Sequence, residues 1–153
     1  MRRFVAALAA ACALTVSVSA TTTAEAALPP VKFGTFVADP AGNDLPVTTS
    51  KLNAEYIRLT NTTTRSIVMT GYTVRDNGDA HVFRFPRGYT IGAKRTVTLH
   101  SGTGRNTSTD LYWGRTTQYV WNNTGDTARL LNASGRLVHS CTYTKVASGT
   151  KPC

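Results

Sequence analysis

The chain has 153 residues, of which 17 are Lys or Arg and only 8 are Asp or Glu, for a net charge of +9. That length suits one domain with a real core, and the absence of internal repeats and low-complexity linkers leaves no sign of a second. The basic excess favours association with anionic polymers without making it specific.

The first segment, "MRRFVAALAAACALTVSVSATTTAEAA", carries two arginines, an apolar run from Phe4 to about Val18, and then small residues. This order defines a secretory signal peptide over residues 1–26, with Ala24-Glu25-Ala26 as a small-x-small cleavage site and Val18-Ser19-Ala20 as a competitor. The run is short for a membrane span, and no second long apolar segment follows. Cleavage after Ala26 removes Arg2, Arg3 and Glu25, so the exported chain stays strongly basic. The expected organisation is a signal peptide over 1–26, a domain over 27–144 and a tail over 145–153.

From residue 31 onwards, helix signals are almost absent. Short β-branched and aromatic runs recur between turns: "VKFGTFVA", "EYIRLTN", "VMTGYTVRD", "HVFRFP", "RTVTLHS", "LYWG", "ARLL" and "LVHSCTYT". The stretch Asp39 to Asn53 has Pro, Gly, Asn and Asp without periodicity and reads as a loop. Alternation places Ile57 with Leu59, Phe83 with Phe85, and Val97 with Leu99 on buried faces, while Arg58, Arg84 and the threonines face solvent. Many short strands at this spacing predict an all-β sandwich or barrel.

Three turn regions invite chemical readings. "RDNGDAH" brings Asp76, Asp79 and His81 close in sequence, but Asn77-Gly78 is a strong hairpin signal and aspartates commonly cap such turns. "HSGTGRNTSTD" is glycine-rich, yet it lacks the lysine and following helix of a phosphate-binding loop; Ser101 and His100 are strand neighbours that point to opposite faces. In "VWNNTGDTARLL", either Val120 or Trp121 is expected in the core, with a turn through Asn122 to Asp126 and Ala128 and Leu130 returning to the sandwich.

No catalytic constellation and no metal or cofactor set emerges. The carboxyl residues after position 26 (Asp39, Asp44, Glu55, Asp76, Asp79, Asp110, Asp126) fall mostly in turns. His100 and His139 fall in strands. With Cys12 in the leader, Cys141 and Cys153 remain as an even pair, and in an oxidising compartment a disulfide pinning the tail is the expectation. A more telling pattern is the arginine-rich set Arg84, Arg87, Lys94, Arg95, Arg105 and Arg115, with Arg129 and Arg136 elsewhere. Arginine grips phosphate or carboxylate through a planar fork, so the first six form a candidate anion-binding set.

Taken together and in order, "NAEYIRLTN", "TGYTVRD", "FRFP", "VTLHSGTG", "LYWG", "VWNNTGDTARLLNASG" and "SCTY" resemble a lamin-tail domain of the secreted bacterial, single-domain kind, over about Val31 to Tyr143. The resemblance implies an immunoglobulin-like β-sandwich of two antiparallel sheets with Greek-key connections. It implies an interaction or adaptor module without enzyme activity, with Gly71, Trp121, Asn122, Gly125 and Asp126 shaping turns and core. The sequence contains no coiled-coil rod. The expected function is a secreted, non-catalytic binding module whose partner is a protein or an anionic polymer, such as extracellular nucleic acid or a cell-wall polymer. The alternatives are a structural envelope or matrix protein that self-associates through a sheet edge, and a small metal-assisted hydrolase using Asp76, Asp79, His81 or His100.

Overall fold

A computed structural model describes residues 27–153. The leader assigned to residues 1–26 lies outside the described residues. Eleven strands and one short helix follow in order: β1 (Val31–Val37), α1 (Thr49–Ala54), β2 (Tyr56–Asn61), β3 (Ile67–Val68), β4 (Thr73–Arg75), β5 (Val82–Arg84), β6 (Thr90–Ile91), β7 (Thr96–His100), β8 (Asp110–Tyr112), β9 (Gly125–Leu131), β10 (Leu137–Thr144) and β11 (Thr150–Pro152).

Two sheets face one another. One has the order β11-β1-β2-β7-β8, the other β10-β9-β4-β5, and β3 with β6 forms a small separate ribbon. The chain changes sheet between β2 and β4, between β5 and β7, between β8 and β9, and between β10 and β11. These crossings give the immunoglobulin-like sandwich its Greek-key connectivity.

Period-two alternation fills the space between the sheets. Ile57, Leu59, Val97, Leu99 and Leu111 face Val74, Phe83, Ala128, Leu130 and Tyr143, all buried. Both Val120 and Trp121 are buried, with 4% and 3% exposure. The Trp121 ring lies edge-on to Phe36 at 4.8 Å and to Trp113 at 5.6 Å, so it joins the first strand to the segment after β8. Burial of a ring this size is among the larger single contributions to the core.

Three local features depart from the expectations. The region read as a loop ends in α1, because the Thr48 hydroxyl accepts the Lys51 N–H and caps the helix start. The sheets are not antiparallel throughout, since β8 runs parallel to β7. The loop from Ser101 to Thr109 turns back along the sheet edge before β8 begins, and the Thr98 N–H donates to the Thr109 carbonyl at 2.8 Å. Residues 145–153 are more than a tail, for β11 completes the outer edge of β1 with Thr35 opposite Pro152.

Glycine is demanded at two of the connecting turns. Gly71, between β3 and β4, has φ +82°, and a Cβ there would stand 2.8 Å from that of Ala133. Gly149, ahead of β11, has φ +62°, and a Cβ would collide with the Asp39 carbonyl. Cys141 on β10 is joined to Cys153 just beyond β11, with Cα atoms 5.8 Å apart. The bond therefore links an edge strand of one sheet to an edge strand of the other and closes that flank of the sandwich.

Candidate functional site

The strand registers sort charge by position along the sandwich. Val37, Tyr56, His100 and Arg75 lie toward one end, and Val31, Asn61, Thr96 and Thr73 toward the other. Asp39, Asp44, Glu55, Asp76, Asp79 and Asp126 all fall in or beside the connections of the first end. Arg65, Arg87, Lys94, Arg95 and Arg136 occupy the connections of the second, all are exposed, and none has a carboxylate in those connections with it.

Several carboxylates at the first end have partners within the fold. Asp79 pairs with Arg75 at 3.4 Å and with Arg129 at 2.6 Å. Asp126 accepts the backbone N–H groups of Asn77, Asn122 and Thr127, tying the β4–β5 turn to the turn before β9. Asn122 uses its Oδ1 to accept from the N–H and hydroxyl of Thr124, and the Gly125 N–H donates to the Asn122 carbonyl. Asn122 lies in the turn, and Gly125 and Asp126 open β9 directly after it.

The residues considered for catalysis are dispersed among structural roles. Asp76 meets His81 Nδ1 at 2.9 Å beside a cleft of about 450 Å³, but Asp79 turns away to the two arginines. His100 and Ser101 do face opposite ways: His100 lies between the Asn53 carbonyl and Asp110, while Ser101 points inward to Glu55. Among the described residues, no group of three or more His, Cys, Asp or Glu is arranged to hold a metal ion.

Glu55, one of the carboxyl residues named from the sequence, has a role that the sequence did not reveal. It is fully buried, and its Oε1 accepts from the Ser101 hydroxyl at 2.5 Å and from the N–H groups of Val120 and Trp121 at 2.8 and 3.3 Å. Its Oε2 has no partner. Burial raises its pKa to about 8, outweighing those three donors, with Asp126 adding repulsion. Its immediate neighbours in "NAEYI" gave no signal, since the partners lie 46 to 66 residues away.

At the opposite end the structure brings together most of the cations nominated from the sequence. Arg84 projects from the end of β5, Arg87 from the β5–β6 turn, and Lys94 and Arg95 from the β6–β7 turn. Arg105 belongs to the long loop whose Asn106, Thr107 and Ser108 form a groove with Pro86, Gly88 and Tyr89. None of these five forms an ion pair among the described residues. Arg115 is separate: its N–H donates to the Ser101 carbonyl and its guanidinium to Gln118, at the end that holds the carboxylates. Arg65 and Arg136 join the basic end in its place, brought there by the β2–β3 and β9–β10 turns.

Three shallow grooves run from this end along the β7–β8 side. One is lined by Tyr89, Thr90 and Ser108; the next by Thr90, Arg95, Thr96, Ser108 and Thr109; the third by Arg58, Thr60, Thr96, Thr98, Thr109 and Asp110. Each shares residues with the next. The Thr109 hydroxyl, followed by His100, holds the Asp110 carboxyl below the ordinary range, so it is a committed acceptor and not a free one.

No helix among the described residues is long and apolar enough to cross a membrane. Comparison with protein families matches residues 24–145 to the one described as Lamin Tail Domain. A comparison with curated proteins finds no match.

Proposed function

Because the chain belongs to the lamin tail domain family, a family of non-enzymatic immunoglobulin-like domains, we propose that it is an exported binding module that engages an anionic polymer through its basic end. The observation that carries this reading is the segregation of charge: Arg65, Arg87, Lys94, Arg95 and Arg136 stand exposed where no carboxylate neutralises them. Cations held apart from counter-charges on a rigid frame attract polyanions, and each phosphate or carboxylate they meet releases condensed counterions. Export agrees with the leader composition of residues 1–26 and with the Cys141–Cys153 pair, a bond typical of oxidising compartments.

The test is binding of the exported chain to labelled polyphosphate and to single-stranded DNA across salt. Affinity is expected to fall steeply between about 50 and 200 mM salt. Binding that ignores salt, or no binding to either polymer, overturns the electrostatic reading and leaves a protein partner. Self-association through a sheet edge is less favoured, because the edge strands β5 and β8 are three residues each and the β10–β11 flank is covalently closed.

A further inference from the structure

We propose that the polymer is an anionic polysaccharide, bound as an extended chain along the hydroxyl-lined track that leads from the basic end onto the outer face of the five-stranded sheet. The proposal rests on the anionic-polymer reading above and adds the chemistry of the repeating unit and its path.

The track is the three adjoining grooves, of about 420, 400 and 440 Å³, which share Thr90 and Ser108 and then Thr96 and Thr109. Its outer part lies across strands in register, with Thr60 opposite Thr96 and Arg58 opposite Thr98, which in turn stands opposite Asp110. Gly34 and Thr35, within the irregular part of β1 between Phe33 and Phe36, line it too, as do Thr109 and Asp110.

Two chemical features point to a sugar chain bearing acid groups. Thr60 and Thr96 bond each other at 2.8 Å and Thr109 donates to Asp110, so these hydroxyls offer lone pairs to sugar hydroxyls, while Thr35 and Thr98 can both donate and accept. Arg58 and Arg95 line the same track and supply planar forks for its acid groups. The single carboxylate present, Asp110, already takes hydrogen bonds from Thr109 and His100 and opposes the polymer weakly. Single-stranded nucleic acid fits less well: it is held by aromatic rings on which bases stack, and the track has one, the half-buried Tyr89.

The experiment compares three polymers: polygalacturonate, with charge and hydroxyls; polyphosphate, with charge alone; and dextran, with hydroxyls alone. Polygalacturonate is expected to bind about tenfold more tightly than polyphosphate at equal charge concentration, the gain of one or two hydrogen bonds per site, and dextran not measurably. The double variant Thr96→Val, Thr98→Val, at an exposed and a half-buried strand position that valine suits, should erase that preference while leaving polyphosphate affinity unchanged. Equal affinity for the two polyanions, or a preference that survives in the valine variant, overturns the polysaccharide track yet leaves the basic end as a polyanion site. Failure to bind any of the polyanions removes both.

Discussion

Glu55 holds its proton in the folded chain up to about pH 8, against 4.5 as the ordinary value for a free side chain. Between those values the folded state keeps a proton that the unfolded chain releases, so stability falls as pH rises across this window, by on the order of 4–5 kcal/mol in total. Denaturant titrations at about pH 5, 6.5 and 8 should show the decline, and Glu55→Gln should flatten it while keeping the acceptor for Val120 and Trp121. His139 acts in the other direction. Burial, then Lys32, lowers its pKa, and its Nδ1 accepts the Phe33 N–H at 3.2 Å between β10 and β1. Its contribution is present above the unfolded value and is lost as pH falls through the folded one; His139→Asn, with an amide oxygen near the Nδ1 position, should blunt that acid-side loss. Trp121→Ala should destabilise by about 3–5 kcal/mol, read as a lower Tm, because both Phe36 and Trp113 lose their edge contact. Trp121 was legible in the sequence as a large ring beside a turn. Glu55 was not, because a buried carboxyl is recognised by what surrounds it, and its donors come from distant turns.

Elements whose faces differ in polarity declare themselves by alternation, which is why β2, β5 and β7 were readable from Ile57 and Leu59, Phe83 and Phe85, and Val97 and Leu99. The elements that escaped depend on partners instead. β8 has three residues and a direction set by the path of the Ser101–Thr109 loop, and α1 rests on the Thr48 cap. β11 has only Thr150, Lys151 and Pro152, and becomes a strand because β1 offers an unpaired edge. The Cys141–Cys153 link holds it there across a separation of 12 residues. Replacing both cysteines by serine should lower stability by about 3 kcal/mol, and amide exchange should quicken first in β11. Unchanged exchange at Thr150 and Lys151 would show that the ladder to β1 suffices alone.

For the whole molecule, the basic excess was visible in composition, but its placement required the topology. Five of the six nominated cations project from the basic end or from the loop beside it, whereas Arg115 belongs to the end with the carboxylates. Replacing Arg87 and Arg95 together by alanine should weaken polyanion binding and reduce the slope of log affinity against log salt by about 2, while Arg115→Ala leaves both unchanged. A frame that carries such an end must first be completed, and here the order of synthesis matters. Thr35 pairs with Pro152, so the first strand to emerge waits for the last few residues before its outer edge is covered. Rungs between such distant positions slow folding, since the long intervening chain must be closed before they form. The sandwich is thus a loop fastened at its own ends: once β11 has found β1, the Cys141–Cys153 bond makes that meeting hard to undo.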